Sequence, residues 1–171
     1  MKHLTLKIFF IILILLLFLA VDIYPQWNNL YFPYGYSVKA KVARVIDGDT
    51  FVLSDSQHVR LLGINCPEVA RLNKPAEPYS SEATLKTKSL IENKIVKLTF
   101  DGNSHDNFGR ILAYVWLSDI NGKDSIFVQA ELLKQGLSRI SHYPKGKRYY
   151  DLFYNLRRTA IRKKIGIWKN D

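Results

Sequence analysis

The chain has 171 residues, 47% of them hydrophobic and 23% charged, with a formal net charge of +10. That size and balance exclude a disordered or low-complexity chain and fit one globular core with an appendage. Taking residues 1–21 away removes Lys2 and Lys7, which leaves 23 basic residues against 15 acidic ones, or +8. The folded part is thus basic in its own right and suited to polyanions, nucleic acid first and an anionic membrane second. A single cysteine, Cys66, rules out an intrachain disulfide, so the fold must rest on its core.

In chain order, Ile8 to Val21 are uninterrupted apolar residues behind Lys2, His3 and Lys7. A basic head and hydrophobic middle describe a secretory signal or signal anchor over residues 1–21. The run is shorter than the ~20 residues of a membrane span, but Leu4 and Leu6 extend it if Lys7 snorkels. Large Phe18 before Ala20 makes a poor cleavage site, so the reading favours an uncleaved anchor. The domain is then exported, either membrane-anchored on the outer side or secreted. Residues 22–36, with Trp27, Tyr31, Phe32, Tyr34 and Tyr36 among Asn, Pro and Gly, read as a linker. Its aromatics suit a membrane interface or packing against the domain, and the two alternatives stand equal.

The domain is expected over 37–171. Ser37–Ile46 reads as a strand, Asp47-Gly48 as a turn and Thr50–Leu53 as a second strand. After a turn at Asp55-Ser56-Gln57, His58–Ile64 reads as a third strand, completing a meander. Asn65–Pro78, with three prolines, reads as a loop. A helix follows from Tyr79, capped by Ser80 or Ser81, with Ala83, Leu85, Leu90 and Ile91 on its apolar side. Ile95–Phe100 and Arg110–Leu117 are expected as the fourth and fifth strands, flanking a polar turn at Asp101–Gly109. Phe127–Gln135 reads as a short helix stopped by Gly136. Tyr149–Lys164 reads as a longer one with Leu152, Phe153, Leu156 and Ala160 in one stripe. The predicted class is mainly β plus α, a small five-stranded barrel packed by about three helices.

Asp47 and Asp49 lie two apart at the first turn, where their carboxylates can converge on a hard cation. Asp-Gly alone is mostly hairpin chemistry. Arg60 and Arg110 sit at strand ends, and a guanidinium fork matches a phosphate. Glu68 follows a proline in a loop and can accept a proton from water. Each residue alone reads first as turn chemistry, a surface ion pair or a solvated carboxylate, and it is their combination that points to chemistry.

Together the stretches Val45-Ile46-Asp47-Gly48-Asp49-Thr50, Arg60-Leu61-Leu62-Gly63-Ile64-Asn65-Cys66-Pro67-Glu68 and Asp106-Asn107-Phe108-Gly109-Arg110 resemble the staphylococcal nuclease (thermonuclease) family. The likeness covers roughly residues 37–169, with weaker echoes at 79–83, 131–137 and 166–168. It implies an OB-type barrel with three helices that cuts DNA and RNA phosphodiesters with one calcium ion, here expected as a monomer. The resemblance assigns metal binding to Asp49, to Asn65 and to the Cys66 backbone carbonyl, with Asp47 close by. It assigns phosphate binding to Arg60 and Arg110, and water activation to Glu68.

Asn65 stands where the family usually has aspartate; it keeps an oxygen ligand but loses a charge, which should weaken calcium binding. Phe108 and His142 stand near positions of nucleotide-contacting tyrosines, the second uncertain by one residue because Tyr143 adjoins it. Stacking could persist through Phe108. Three activities follow as expectations: a calcium-dependent nuclease, an OB-type module that binds nucleic acid without cutting, and a tethered domain whose charge meets anionic lipid.

Overall fold

The structure is a computed structural model that describes residues 31–32, 36–103, 105–118, 124–141 and 147–170. The apolar N-terminal segment and His142, Tyr143 and Lys145 lie outside the described residues. Among the described residues no helix is long and apolar enough to cross a membrane.

The strands are β1 (Tyr31–Phe32), β2 (Ser37–Val45), β3 (Thr50–Leu53), β4 (His58–Leu61), β5 (Ile64–Asn65), β6 (Ile95–Thr99), β7 (Gly102–Asn103), β8 (Ile111–Ser118), β9 (Asp124–Phe127) and β10 (Arg139–Ile140). The helices are α1 (Ser80–Ile91), α2 (Val128–Lys134) and α3 (Tyr150–Arg162), followed by a 3-10 turn at Gly166–Trp168. β2 is long and irregular. Its first half pairs with β6, from Ser37 opposite Thr99 to Lys41 opposite Ile95. Past a register shift between Val42 and Arg44, its second half pairs with β3. One strand thereby serves two neighbours, which is how a bulge bends a sheet towards closure. β3 pairs with β4, β6 with β8, and a parallel β4–β8 pairing closes the ring. The result is a closed five-stranded barrel, as expected.

The barrel interior holds Val42, Phe51, Val59, Leu61, Val96, Leu98, Ala113 and Val115, all at most 1% exposed. β8 alternates buried and half-buried at its two ends, but Ala113, Tyr114 and Val115 are all buried, because Tyr114 on the outer face is covered by Tyr149 and Phe153. Gln129 repairs a gap in the ladder where β8 passes from β4 to β9. The Val115 amide donates to its Oε1 at 3.1 Å, and its Nε2 donates to the Ala113 carbonyl at 2.9 Å. Fully buried amides of this kind must be satisfied. α3 is fixed by aromatic contacts: Tyr149 lies edge-on to Tyr114 at 4.6 Å, and Phe153 is wholly buried beside Phe127.

Several local expectations are corrected. The third strand stops at Leu61, because Leu62-Gly63 turns the chain and Gly63 takes φ +85°. Ile64–Asn65 is instead a separate strand paired with β10, so Asn65 is not in the loop. Neither serine caps α1. The N-cap is Tyr79 in the left-handed region, with no side-chain cap, and Ser80 is buried inside the first turn. Leu85 and Leu152 are exposed, and the buried faces use Ala83, Thr87, Leu90 and Ile91 on α1 and Phe153 and Ala160 on α3. Phe127 ends a strand that leads straight into α2 rather than opening the helix. Tyr31–Phe32, within the stretch read as a linker, pairs antiparallel with Gly102–Asn103.

Two glycines explain the weak echoes at 136 and 166. Gly136 and Gly166 adopt φ +63° and +60° with their backbones face to face. A Cβ on Gly136 would lie 2.2 Å from the Ile165 carbonyl oxygen, and one on Gly166 would lie 2.1 Å from the Gly136 carbonyl oxygen. Only glycine permits both the conformation and the approach. The Ile167 amide then donates to the Gly136 carbonyl at 2.9 Å and ties the C-terminal turn to the end of α2.

Candidate active site

The candidate residues come from four places at one side of the barrel: the turn 46–49 between β2 and β3, Arg60 on β4, residues 65–68 from the end of β5 onward, and the turn 106–110 before β8. The first is locked from below. Gly48 is buried, and a Cβ there would lie 2.6 Å from Cys66 Cβ and 2.8 Å from Ala83 Cβ. Thr87 of α1, itself fully buried, donates its hydroxyl to the Gly48 carbonyl at 2.7 Å. Asp47 turns inward to accept the Asp49 amide at 3.0 Å, the side-chain turn that suits aspartate to such corners.

Asp49 is the hub, 4% exposed. Its Oδ2 accepts the Cys66 amide at 2.6 Å, and its Oδ1 accepts the Thr50 hydroxyl at 3.2 Å. The same Oδ1 forms an ion pair with Arg60 Nη1. Arg60 Nη2 donates to Asn65 Oδ1 at 2.5 Å. One guanidinium therefore bridges two of the oxygens read as metal ligands. Burial, then the nearby Arg110, push the Arg60 pKa below its ordinary value, yet a guanidinium remains charged at any physiological pH.

Arg110 is oriented by Asp106. Its Nε and Nη2 donate to Asp106 Oδ2 at 2.8 and 2.7 Å, and the Phe108 and Arg110 amides donate to Oδ1 at 2.9 and 3.0 Å. Burial alone would raise the Asp106 carboxyl, but these donors outweigh it and hold it below the usual aspartate range. Arg110 Nη1 reaches Thr50 Oγ1 at 3.5 Å. Phe108 stands 84% exposed on the rim, with the Arg110 guanidinium 5.4 Å from its ring centre. Across the opening, Arg71 donates to Glu68 at 2.8 Å, and the Glu68 amide donates to Glu77 at 3.3 Å.

Asp47, Asp49, Arg60, Asn65, Glu68 and Arg110 all line one cleft of about 370 Å³, together with Thr50, Arg71 and Phe108. Cys66 lies behind the wall, offering its amide to Asp49. Burial pushes its thiol pKa far up, so the sulfur is neutral packing and not a nucleophile. The sequence did not single out Thr50, Arg71 or Asp106 as site residues. A signal existed for Asp106, four residues before Arg110 in a tight turn. None marked Arg71, whose place depends on how the 66–79 loop folds back.

Among the described residues, His, Cys, Asp and Glu do not gather in threes as a preformed metal cluster. The cleft offers carboxylates from Asp47 and Asp49 and an amide oxygen from Asn65, all hard donors of the kind calcium takes. A cation, the Arg60 guanidinium, already lies between Asp49 and Asn65. The donor set therefore fits a hard cation, with one charge fewer than three carboxylates would give.

Residues 58–170 match the family model described as staphylococcal nuclease homologue. The thermonuclease of Staphylococcus intermedius is 37% identical over 131 residues, spanning 75% of this chain and 74% of that one. The thermonuclease of Staphylococcus hyicus is 37% identical over 133 residues, spanning 76% and 75%. Endonuclease YncB of Bacillus subtilis (strain 168) is 35% identical over 136 residues, spanning 77% of this chain and 62% of that one.

Proposed function

The chain belongs to the staphylococcal nuclease family, and from that premise we propose that it is a calcium-dependent nuclease hydrolysing phosphodiester bonds of DNA, RNA or both. The observation that carries the reading is the cleft itself. Arg60 of β4, Arg110, an acidic turn and a glutamate, far apart in sequence, meet in a space of about 370 Å³, sized for a sugar–phosphate linkage.

Arg60 and Arg110 flank the phosphate and neutralise charge that grows on its oxygens during attack. Preorganised donors of this kind are usually the largest catalytic contribution, about 2.7–4 kcal/mol each. The Asp106 fork fixes the Arg110 plane in advance. Glu68, one-third exposed at the mouth, positions a water and takes its proton. Arg71 donates to that carboxylate at 2.8 Å and orients it. Calcium, held by Asp49 and Asn65 with the Cys66 carbonyl and Asp47 near, would add Lewis-acid polarisation of the phosphate.

The test is turnover of an end-labelled oligonucleotide by the full-length chain in calcium and in EDTA. Cutting with calcium alone supports the reading; equal rates in both remove the metal role, and no cutting in either removes the activity.

A second reading is a module that grips strands without cutting. It is favoured by Asn65 and by the engagement of both Asp49 oxygens, one by the Cys66 amide and one by Arg60. Export, and anchoring by residues 1–21 if they are uncleaved, is supported by the basic-then-apolar sequence there.

A further inference from the structure

A second groove lies against the catalytic cleft and shares two of its residues. Ser56, Gln57, His58, His105, Phe108 and Arg110 line a space of about 570 Å³, within the ~300–1,000 Å³ of ordinary ligand clefts. Phe108 and Arg110 are the residues common to both, so the two spaces meet at the exposed ring. We propose that this groove is a second nucleotide subsite, which takes the next phosphodiester linkage and base of a strand whose scissile phosphate lies between Arg60 and Arg110. The inference rests on the nuclease reading for its choice of ligand.

The geometry of β4 gives the first argument. His58 and Arg60 are two apart on one strand, with Val59 fully buried between them. Residues i and i+2 share a face, separated by roughly 6.6 Å along the strand. The imidazole thus stands one step beyond the phosphate arginine, a spacing on the order of one sugar–phosphate repeat.

The chemistry of the lining gives the second. No carboxylate lines the groove. The two acids in the adjoining turns are committed elsewhere: Asp55 accepts the Gln57 amide at 3.1 Å and its Nε2 at 3.2 Å, and Asp106 is held by Arg110. The lining is two imidazoles, a hydroxyl, an amide and a guanidinium, side chains whose chemistry is to donate to a phosphate oxygen or a base edge. Burial holds the His105 imidazole pKa below its ordinary value, against a smaller opposing pull from Asp106, so it serves as a neutral ring donor. Phe108 at the lip offers a face for the intervening base, a contact that tolerates any sequence.

The test compares a dinucleotide, whose single linkage fills only the catalytic cleft, with an octathymidylate that also reaches the groove. Anisotropy of labelled octamer gives its Kd with the full-length chain in EDTA, and competition by unlabelled thymidine dinucleotide gives the second Kd. The wild type should favour the octamer by tenfold or more. His58→Glu should cut that preference about tenfold by setting a carboxylate where the imidazole donates to the strand. His58→Gln, which keeps a donor, should cut it by less than threefold. A wild type without octamer preference, or an unchanged preference in His58→Glu, overturns the subsite. Calcium is then added to the wild type with the octamer. Failure to cut would refute the nuclease reading, while the affinity ratio would still judge the groove.

Discussion

Substituting Gly48 by alanine tests whether the acidic turn is placed by the core beneath it. The new Cβ would lie 2.6 Å from Cys66 Cβ, 2.8 Å from Ala83 Cβ and 2.9 Å from Cys66 Sγ. All three atoms belong to buried residues, at 2% and 0% exposure, so none can swing away. Carbon atoms pack at roughly 3.5–4.0 Å, so the turn must rise by about 1 Å. That shift costs about 1–3 kcal/mol as overpacking. It also stretches the 2.7 Å bond from Thr87 to the Gly48 carbonyl and orphans a buried hydroxyl, for another ~1–3 kcal/mol. The sum is about 2–6 kcal/mol, which lowers Tm by on the order of 4–24 °C for a chain of this length. The turn carries Asp47 and Asp49, so nucleolytic turnover should fall too, measured where the variant is still folded. Thr87→Val separates the contributions, because it removes the hydrogen bond without the clash and should cost only the smaller part. Thermal unfolding followed by circular dichroism decides the matter: a Gly48→Ala variant melting within 2 °C of wild type would refute the reasoning.

Asp106→Asn should slow cleavage about a hundredfold by freeing Arg110 from its fork, the usual consequence of a ~1 Å misplacement, with KM for an oligonucleotide as the accompanying readout. The Asp106 carboxyl is held below its unfolded value, so its stabilisation is full above about pH 4 and is lost as pH falls through the lower folded value. Urea midpoints between pH 7 and pH 3 should therefore fall less steeply in the variant than in wild type. Glu68→Gln should lower turnover by about 10²–10⁴ with little change in oligonucleotide affinity measured in EDTA. Asn65→Asp adds a charged ligand and should tighten calcium binding about tenfold, the order expected from one extra charge at ~4 Å in a solvent-open cleft, read by calorimetric titration with calcium alone. The same variant separates a weak enzyme from a pure binder: a sharp rise in cutting marks the first, and binding without cutting in both forms marks the second.

Much of this architecture was legible before the coordinates. The barrel strands announce themselves because one face is buried and the other wet, so Val38, Ala40 and Val42 alternate with lysines. Elements set by tertiary contact were not legible. β5 and β10 are two residues each and exist only because they pair with one another. The start of α1 deceived because serines were available to cap, whereas the chain enters through Tyr79 in the left-handed region with Ser80 packed inside. Leu85 and Leu152 are apolar at helical spacing yet face water, since α1 packs through Ala83, Thr87, Leu90 and Ile91 and α3 through Phe153 and Ala160. At the site, the motif residues were readable because each lies in a short stretch with its own signature: an Asp-Gly turn, an arginine near a strand end, a proline-led loop. Thr50 and Arg71 were not, because their function arises from what the fold sets opposite them.

Charge balance in the cleft links the asparagine to the rest of the design. Asp47, Asp49 and Glu68 stand against Arg60, Arg71 and Arg110, three negative and three positive groups lining one space. The arginines are already engaged: Arg60 by Asp49, Arg71 by Glu68 and Arg110 by Asp106. An unpaired buried carboxylate would cost several kcal/mol, and Arg60 prevents this by bridging Asp49 and Asn65. An aspartate at 65 would leave a fourth negative charge there, compensated only when a cation arrives. Asparagine keeps the oxygen and removes that dependence, so the resting site is held together by its own guanidinium. A cation held as proposed would compete with Arg60 for Asp49 and Asn65. A phosphate relieves that competition by offering Arg60 a second anion, so substrate and cation should each favour the other's binding.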